Sequence, residues 1–463
     1  MYVISLQNVT FQYAGCKEGV HDIDLTVRDG ECVVLTGPSG GGKTTITRLI
    51  NGLAPSYYQG SLNGSIWVNG AEISALPSWR IGMEIGSVFQ DPKSQFFSSE
   101  LAGEVAFACE NYGMSKQEIR KRTDDAIASF GLESLCMRPL DVLSSGEKQR
   151  VAVASVYALR PCIYVCDEPT ANLDGEGALR LANTFRKLKN EGNTLIIAEH
   201  RLTWLNDIAD RFVYVSNGTI QWEKTLAQMQ GISEEERKRY GLREIIEKEP
   251  SLPTFLMDVG KENFCSVNLT CKRKKTAIFE NLNFSLPAGQ IVALTGKNGV
   301  GKTTLAMVLT GLWKQSKGEI YIRGKKLSEG KRRKAVWYSS NDTGTQFFTS
   351  SVTDELLLHS SYFPERLERA RALLKEFGLY TYKDAHPASL SGGQKQRLSI
   401  ACGLLSDREI LLLDEPTSGL DGGNMRKIAA ALTNAAAEGK TILVITHDKE
   451  LIQACCNFRW ELG

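Results

Sequence analysis

The sequence predicts an α/β protein made of two similar domains in tandem, each built around a largely parallel sheet. The first observation is a glycine-rich string, GPSGGGKT at residues 37–44, which recurs as GKNGVGKT at residues 296–303. The second is that later motifs follow in the same order in each half: LSSGE and LSGGQ, IYVCDEPT and ILLLDEPT, AEH and ITH. The third is that the predicted strands CVVLTG and IVALTG are continuous apolar runs, typical of strands buried on both faces of a parallel sheet. The chain therefore carries one cassette twice.

The spacing of the motifs supports this repeat. The lysines of the glycine-rich strings lie 259 residues apart (302 − 43), whereas the strand-end aspartates (414 − 167) and the loop histidines (447 − 200) lie 247 apart. Part of the difference is an insert in the first half, APSYYQGSLNGS, which the shorter WKQSKG of the second half does not match. We therefore predict a first domain over 1–230 with a helical segment at about 96–160, a linker over 231–262, and a second domain over 263–463 with a helical segment at about 347–406.

Composition excludes several classes of protein. The 463 residues are enough for two domains, each with a full core. A net charge of +2 gives no reason to expect a nucleic-acid partner. The sequence shows neither an apolar run of the roughly 18–20 residues that span a bilayer nor a secretory signal pattern. The 11 cysteines include no C-x-x-C pair, so we expect reduced cysteines in a cytosolic protein.

The two glycine-rich strings have the form G-x-x-x-x-G-K-T between a strand and a helix, which is typical of a phosphate-binding loop. Backbone N–H groups and the helix N-terminus would hold the β-phosphate, and the lysine would neutralise the β- and γ-phosphates. The following threonine could place its hydroxyl on Mg²⁺. The predicted ATP-binding residues are Gly37, Pro38, Ser39, Gly40, Gly41, Gly42, Lys43, Thr44 and Thr45 in the first half, and Gly296, Lys297, Asn298, Gly299, Val300, Gly301, Lys302, Thr303 and Thr304 in the second.

Acidic residues and a histidine follow the predicted strands in both halves. Asp167 and Asp414 close apolar strands, where a carboxylate can reach Mg²⁺ through water. The next residues, Glu168 and Glu415, suit a general base toward the attacking water. A lone histidine is weak as a signal, but His200 and His447 both lie 33 residues after the aspartate (200 − 167; 447 − 414), which favours a functional role.

The strings LSSGEKQR and LSGGQKQR each precede a long helical run of small and apolar residues. Their serines and glycines are therefore predicted at a helix N-terminus, which is an anion site. The same half offers this site no phosphate of its own, so it can only complete a nucleotide site supplied by the other half. The residues concerned are Ser144, Ser145, Gly146 and Glu147 in the first half, and Ser391, Gly392, Gly393 and Gln394 in the second.

This combination resembles the ATP-binding cassette (ABC) family over nearly the whole chain, twice. The resemblance implies two ABC nucleotide-binding domains, each with a P-loop RecA-like core, an antiparallel β subdomain and a helical subdomain. It implies ATP hydrolysis with Mg²⁺ at two head-to-tail sites formed when the two domains pair within the chain. It also places Gln90 beside the metal and Tyr13 on the adenine ring. The metal set is then Thr44, Gln90, Asp167, Thr303 and Asp414, and the catalytic set is Glu168, His200, Glu415 and His447.

The two copies differ in sequence. The differences all affect one of the two implied nucleotide sites, the one that contains Lys302. Asn341 stands where the first half has Gln90, and its shorter amide would have trouble reaching metal and water together. The stretch that matches Tyr13 is CKRKK, in which Arg273 could stack on the base instead. Ser145 and Glu147 replace glycine and glutamine, and Glu147 would add a carboxylate near the nucleotide. We expect both sites to bind ATP and the Lys43 site to hydrolyse it faster, the alternative being drift within tolerance.

Local sequence also indicates the kind of ABC protein. The stretch VFQDPKSQFFSSELAGEVAFACEN, with AEHRL further on, is similar to ATPases of energy-coupling factor (ECF) importers. That resemblance implies a fused motor peripheral to the cytoplasmic face of the cell membrane, which drives a transmembrane coupling subunit and a substrate-capture membrane subunit. Their coupling helices would insert near residues 90–97 and 341–348. The alternatives are a tandem sugar-importer ATPase, a soluble tandem ABC translation factor, and a nucleic-acid repair or ribosome-recycling ATPase. A short, charge-balanced linker argues against the translation factor, and missing cysteine-rich segments argue against the last class.

Overall fold

The computed structural model describes residues 2–16, 18–171, 173–253, 264–273, 276–341, 344, 346–358 and 363–462. The chain forms two compact units, Met1–Glu247 and Lys248–Gly463. Each unit holds one small antiparallel sheet and one larger, mainly parallel sheet. The prediction of two α/β domains is confirmed.

The strands of the first unit are β1 (Tyr2–Tyr13), β2 (Gly19–Arg28), β3 (Cys32–Thr36), β4 (Gly60–Val68), β5 (Ala71–Glu72), β6 (Ile85–Val88), β7 (Ile163–Asp167), β8 (Thr194–Ala198), β9 (Arg211–Ser216) and β10 (Thr219–Thr225). Its helices are α1 (Lys43–Ile50), α2 (Leu53–Ser56), α3 (Ser78–Glu84), α4 (Leu101–Asn111), α5 (Lys116–Ser129), α6 (Ser145–Leu159), α7 (Gly175–Asn190), α8 (Leu226–Gln230) and α9 (Glu234–Arg239). The small sheet has the order β2-β1-β4-β5, and the larger sheet has the order β10-β9-β3-β8-β7-β6.

The strands of the second unit are β11 (Phe264–Arg273), β12 (Thr276–Leu286), β13 (Ile291–Thr295), β14 (Lys317–Ile322), β15 (Lys325–Lys326), β16 (Val336–Ser339), β17 (Ile410–Asp414), β18 (Thr441–Ile445) and β19 (Phe458–Glu461). Its helices are α10 (Lys302–Thr310), α11 (Glu329–Ala335), α12 (Val352–Leu357), α13 (Pro364–Glu376), α14 (Gly392–Leu405), α15 (Gly422–Ala437) and α16 (Lys449–Cys455). The small sheet has the order β12-β11-β14-β15, and the parallel sheet has the order β16-β17-β18-β13-β19.

The central strands are buried on both faces, which explains their uninterrupted apolar sequences. In β3, Val33 and Leu35 join the core beneath α1 and the small sheet, whereas Cys32 and Val34 join the core on the opposite face. The strands β3, β7 and β8 run parallel, so their carboxyl ends meet at one edge of the sheet. The same holds for β13, β17 and β18 in the second unit. Side chains that follow these strands are thereby brought together.

The segment predicted as a linker, 231–262, does not form a single free stretch in the described residues. Its first part belongs to the first unit, where α9 begins after the capping side chain of Ser233 and Tyr240 packs against Tyr214 and Trp222. Leu252 packs on the core of the second unit. The rest of the predicted linker, 254–262, lies outside the described residues.

At one strand–helix contact in the core, the two units have the small and the large residue in exchanged positions. Gly86 in β6 faces Val156 of α6, and a Cβ added at Gly86 would lie 2.3 Å from Val156 Cγ1. In the second unit the aligned strand residue is Trp337, and it faces Gly403 of α14, where an added Cβ would lie 2.6 Å from Trp337 Cδ1. Each unit therefore combines one small and one larger residue at this contact, in opposite order.

Candidate functional site

The glycine-rich loops connect β3 to α1 and β13 to α10, and they close around the lysine side chains. Lys43 Nζ donates hydrogen bonds to the carbonyls of Gly37 (3.0 Å) and Pro38 (2.9 Å). Lys302 Nζ donates to the matching carbonyls of Gly296 (2.6 Å) and Lys297 (3.0 Å). Both lysines are buried, so the loop holds a positive charge beside the helix N-terminus. A phosphate group fits this arrangement.

Gly37 shows why the first position of the loop must be glycine. Its φ is 135°, and an added Cβ would lie 2.1 Å from the carbonyl oxygen of Val215 at the end of β9. Gly296 has the same conformation, with φ 137° and a similar approach, 2.3 Å, to the carbonyl of Leu462. Any larger residue would force the loop away from the neighbouring strand.

The threonine and aspartate predicted to hold Mg²⁺ meet in both units. Thr44 Oγ1 donates to Asp167 Oδ1 at 3.2 Å, and Thr303 Oγ1 donates to Asp414 Oδ2 at 2.8 Å. These oxygens fit a magnesium ion, which is commonly held by one or two carboxylates together with the phosphates of a nucleotide. Within the described part of the chain, His, Cys, Asp and Glu form no group of three or more that could bind a metal by itself.

In the first unit, the carboxylate of Glu168 is contacted by Gln90, predicted as a metal residue, and by His200, predicted as a catalytic one. Gln90 Nε2 donates to Glu168 Oε2 at 2.8 Å, and His200 Nε2 lies 3.3 Å from Glu168 Oε1. Ser39 Oγ, in the phosphate loop, lies 3.5 Å from the same ring nitrogen. Glu168 itself has a left-handed backbone (φ 44°), which is uncommon for a residue with a side chain. The Glu168 carboxylate at the end of β7 is therefore contacted from the glutamine loop, which follows β6 and contains Gln90, and from the histidine loop, which follows β8 and contains His200.

In the second unit, Glu415 has the same left-handed backbone (φ 47°). Its carboxylate accepts from Thr446 Oγ1 at 3.0 Å and from the backbone N–H of His447 at 3.2 Å. Asn341, at the position of Gln90, is exposed. The structure thus brings Glu415 and His447 together through the backbone of the histidine loop.

Burial controls the charge of the strand-end carboxylates. Desolvation and, to a smaller extent, the neighbouring Glu168 carboxylate raise the pKa of Asp167 to about 7, although Thr44 and Lys43 oppose the rise. Desolvation also raises the pKa of Asp414, against hydrogen bonds from Thr303 and Tyr338. A cation bound beside either aspartate would therefore stabilise a carboxylate that the protein interior disfavours.

A buried carboxylate that the sequence analysis missed holds each histidine loop. Glu199 Oε2 accepts from Thr170 Oγ1 at 2.5 Å, and Glu199 Oε1 accepts from the backbone N–H groups of His200 (2.7 Å) and Arg201 (3.0 Å). In the second unit the acceptor follows the histidine: Asp448 Oδ2 accepts from Thr417 Oγ1 at 2.6 Å. The sequence does contain an acidic residue next to each histidine: it precedes His200 in the string EHR and follows His447 in the string THD.

We expect Glu199→Ala to lower the free energy of unfolding of the first unit by about 2 kcal/mol, because three buried donors would lose their acceptor. Urea unfolding of the full chain, followed by the fluorescence of Trp204 and its neighbours, measures this change. Glu191→Ala, at an exposed position, is the control and should leave the transition in place. An unshifted transition for Glu199→Ala would show that these hydrogen bonds contribute nothing.

The strings LSSGEKQR and LSGGQKQR, here called the signature strings, begin α6 and α14, as predicted. The two helices also start with the same kind of cap. Ser144 Oγ accepts from the backbone N–H of Glu147 at 3.3 Å, and Ser391 Oγ accepts from that of Gln394 at 3.4 Å. In return, Glu147 and Gln394 each accept the backbone N–H of the capping serine at 2.8 Å. The carboxylate of Glu147 closes the capping box of α6, and its place near a nucleotide stays a prediction. The side chain of Ser145 lies outside what the structure describes.

Tyr13 contacts the helix that follows the phosphate loop, together with residues that the sequence analysis did not single out. Its hydroxyl lies 3.2 Å from Thr45 Oγ1 and accepts from Arg48 Nη1 at 3.1 Å. The Arg48 guanidinium in turn lies 3.8 Å from the ring centroid of Tyr58, in the inserted segment. In the second unit, Arg273 lies 5.8 Å from the ring centroid of Trp313. Lys274 and Lys275 of the matched stretch lie outside the described residues.

The two Gln-Phe-Phe strings divide their aromatic side chains between the core and the surface. Phe96 and Phe347 pack against the hydrophobic cores, whereas Phe97 and Phe348 are 74% and 78% exposed. A buried glutamate fixes each loop: Glu104 accepts the N–H groups of Phe97 and Ser98, and Glu355 those of Phe348 and Thr349, at 2.8–2.9 Å. The backbone that carries each exposed phenylalanine is therefore fixed by a buried carboxylate.

Comparison with known proteins shows which family has this arrangement. The sequence profile described as "ABC transporter" matches residues 20–171 and 279–418. A protein of Treponema denticola named as an ABC transporter ATP-binding protein is 38% identical over 98% of this chain and 94% of its own length. The HMP/thiamine import ATP-binding protein YkoD of Bacillus subtilis is 32% identical over 98% of this chain and 88% of its own length. The archaeal ABCE1 from a model of its ribosome-bound complex with Pelota has a TM-score of 0.69 at 23% identity, over 97% of this chain and 75% of the other, and shows likeness of fold.

Proposed function

Because this chain belongs to the ABC transporter family of ATP-hydrolysing proteins, we propose that it is the fused motor subunit of an ECF-type importer. The chain is an ATPase, and family members use ATP hydrolysis to power transport. The observation that carries the proposal is a pair of exposed phenylalanines, one in each unit, whose backbone N–H groups are held by a buried glutamate. They give the motor one contact point per unit for a membrane partner.

In the proposed mechanism, each phosphate loop binds the triphosphate of ATP through its N–H groups and its lysine. Thr44 with Asp167, and Thr303 with Asp414, would hold Mg²⁺, which neutralises developing phosphate charge. Glu168 is placed to accept a proton from the attacking water, with Gln90 and His200 fixing its carboxylate. Tyr13 would stack on the adenine ring, with Arg48 setting the orientation of its hydroxyl.

We further propose that the signature helix of each unit completes the nucleotide site of the other unit. The support is chemical: α6 and α14 start with capped, glycine-containing N-termini, and such ends bind anions. The site built on Lys43 would take its signature from Ser391–Gln394, and the site built on Lys302 from Ser144–Glu147. Hydrolysis at the first site then depends on a serine in the second unit.

The partners proposed are a transmembrane coupling subunit and a substrate-capture membrane subunit, with the motor peripheral to the cytoplasmic face of the membrane. No helix in the described ranges is long and apolar enough to cross a bilayer. Beside Phe348 lies a cavity of about 290 Å³ whose walls include Trp337, Arg333 and Arg408. A helix from the coupling subunit could place a side chain there. The relative from Bacillus subtilis is named for import of HMP or thiamine, which favours import and a vitamin-like substrate.

Co-purification from native membranes tests this proposal. A tagged chain is expected to recover integral membrane proteins, and mass spectrometry of the complex should identify a bound small molecule. Phe97→Glu combined with Phe348→Glu should abolish that recovery, whereas Met137→Glu, at a side chain 95% exposed, should not. Recovery with ribosomes and no membrane proteins would contradict the importer function.

A further inference from the structure

Tyr338 of the second unit contacts the strand-end aspartate Asp414, and the aligned residue of the first unit is too short to make the same contact. It lies in β16, and its hydroxyl donates to Asp414 Oδ2 at 3.2 Å. The same carboxylate oxygen accepts from Thr303 at 2.8 Å. Asp414 therefore has one oxygen saturated by two hydroxyl donors, one from the phosphate-loop helix and one from the edge strand of the sheet.

The aligned residue of the first unit is Ser87 in β6. β6 pairs with β7 in the same register as β16 pairs with β17, so the two positions are structurally equivalent. The Ser87 hydroxyl accepts a hydrogen bond from Asn51 Nδ2 at 3.2 Å and is too short to replace the phenol. In the first unit, the contact between this part of the sheet and the acidic residues at the end of β7 is made instead by Gln90, which follows β6 and donates to Glu168.

The surroundings of Tyr338 hold its hydroxyl in place. Its ring packs against the apolar core of the second unit on one side and lines the cavity beside Phe348 on the other. A tyrosine hydroxyl is protonated at neutral pH, so the group acts as a donor to the Asp414 carboxylate. A donor fixed by packing orients its acceptor better than a mobile one.

We propose that Tyr338 is a positioning residue of the second nucleotide site, which orients Asp414 so that its other carboxylate oxygen would be available to the Mg²⁺ bound with ATP. By this contact the second unit keeps an ordered metal site although Asn341 replaces the glutamine. The inference rests on the ATP-binding part of the proposed function and is independent of the membrane partner.

The test is a Mg²⁺ titration of a fluorescent ATP analogue bound to the full chain, with Lys43→Ala as background so that binding reports the second site. Tyr338→Phe is expected to raise the Mg²⁺ concentration at half-maximal binding about fivefold. Binding in EDTA should change less than about twofold, since the phosphate loop is untouched. Asp414→Asn should remove most of the Mg²⁺ dependence, and adding Tyr338→Phe to it should have no further effect.

The matched control is Ser87→Ala in a Lys302→Ala background, which should leave the Mg²⁺ midpoint of the first site unchanged. An unchanged midpoint for Tyr338→Phe would overturn the inference. The inference would also be overturned if Tyr338→Phe weakened binding of the analogue equally in EDTA and in Mg²⁺. The same holds if Tyr338→Phe kept its full effect in the Asp414→Asn background, because either result would show a purely structural role. Failure of the chain to bind the analogue at all would instead contradict ATP binding, so the two failures are distinguishable.

Discussion

Glu168→Gln is expected to slow ATP hydrolysis by the full chain about 10²-fold, whereas Glu415→Gln is expected to slow it less than about threefold. The reason is the difference in contacts. Glu168 is oriented by Gln90 and His200 and can accept a proton from water. Glu415 is held by Thr446 and the backbone of His447, with the shorter Asn341 at the glutamine position. The residual activity of Glu168→Gln would be the slower turnover at the second site.

Steady-state phosphate release measures both variants, and nucleotide binding serves as the control. Each glutamine variant should still bind ATP with Mg²⁺, because the phosphate loop and the aspartate are unchanged. Equal losses of hydrolysis from the two substitutions would contradict the asymmetry. The differences between the copies would then be drift that both sites tolerate.

Ser391→Ala is expected to slow hydrolysis roughly 50-fold, whereas Ser144→Ala is expected to change it less than about threefold. The two serines make the same helix cap, so their loss should lower stability equally, by about 1 kcal/mol. Any difference in activity must therefore come from the nucleotide. Ser391 would donate to the phosphates held by Lys43, in the faster site, and Ser144 to those held by Lys302.

Hydrolysis rates and thermal unfolding of both serine variants separate the two effects. Equal shifts in the unfolding temperature with unequal rates are the expected result. If Ser144→Ala were the more damaging substitution, each signature would have to serve its own unit or the second site would have to be the faster one. The Glu168 and Glu415 variants decide between those two explanations.

The sequence was sufficient for those parts of the molecule that depend on local pattern. Continuous apolar runs located β3, β7 and β8 and their counterparts, and the repeat ordered the motifs along one edge of each sheet. The serine caps of α6 and α14 follow directly from Ser-x-x-Glu and Ser-x-x-Gln. The two ABC ATPase domains that the motifs predicted are confirmed, while the roles of single residues remain predictions.

What sequence reasoning missed depends on which side chains meet across elements distant in the chain. The contact between Tyr338 and Asp414 requires the register of β16 against β17, which no single motif reveals. The sequence difference between Glu147 and Gln394 leaves the helix cap unchanged, because capping geometry uses either side chain in the same way. The linker was placed from its charges, whereas Tyr240 and its aromatic neighbours attach its first part to the first unit.

The reversed pairing of Gly86 with Val156 and of Trp337 with Gly403 has a consequence for how the gene can change. Sequence exchange between the two halves could copy the strand without the helix that faces it. One product would crowd tryptophan against valine, and the reciprocal product would leave two glycines and a hole in the core. Such recombinants should be less stable than the parent chain, which disfavours an exchange that separates the strand from its helix.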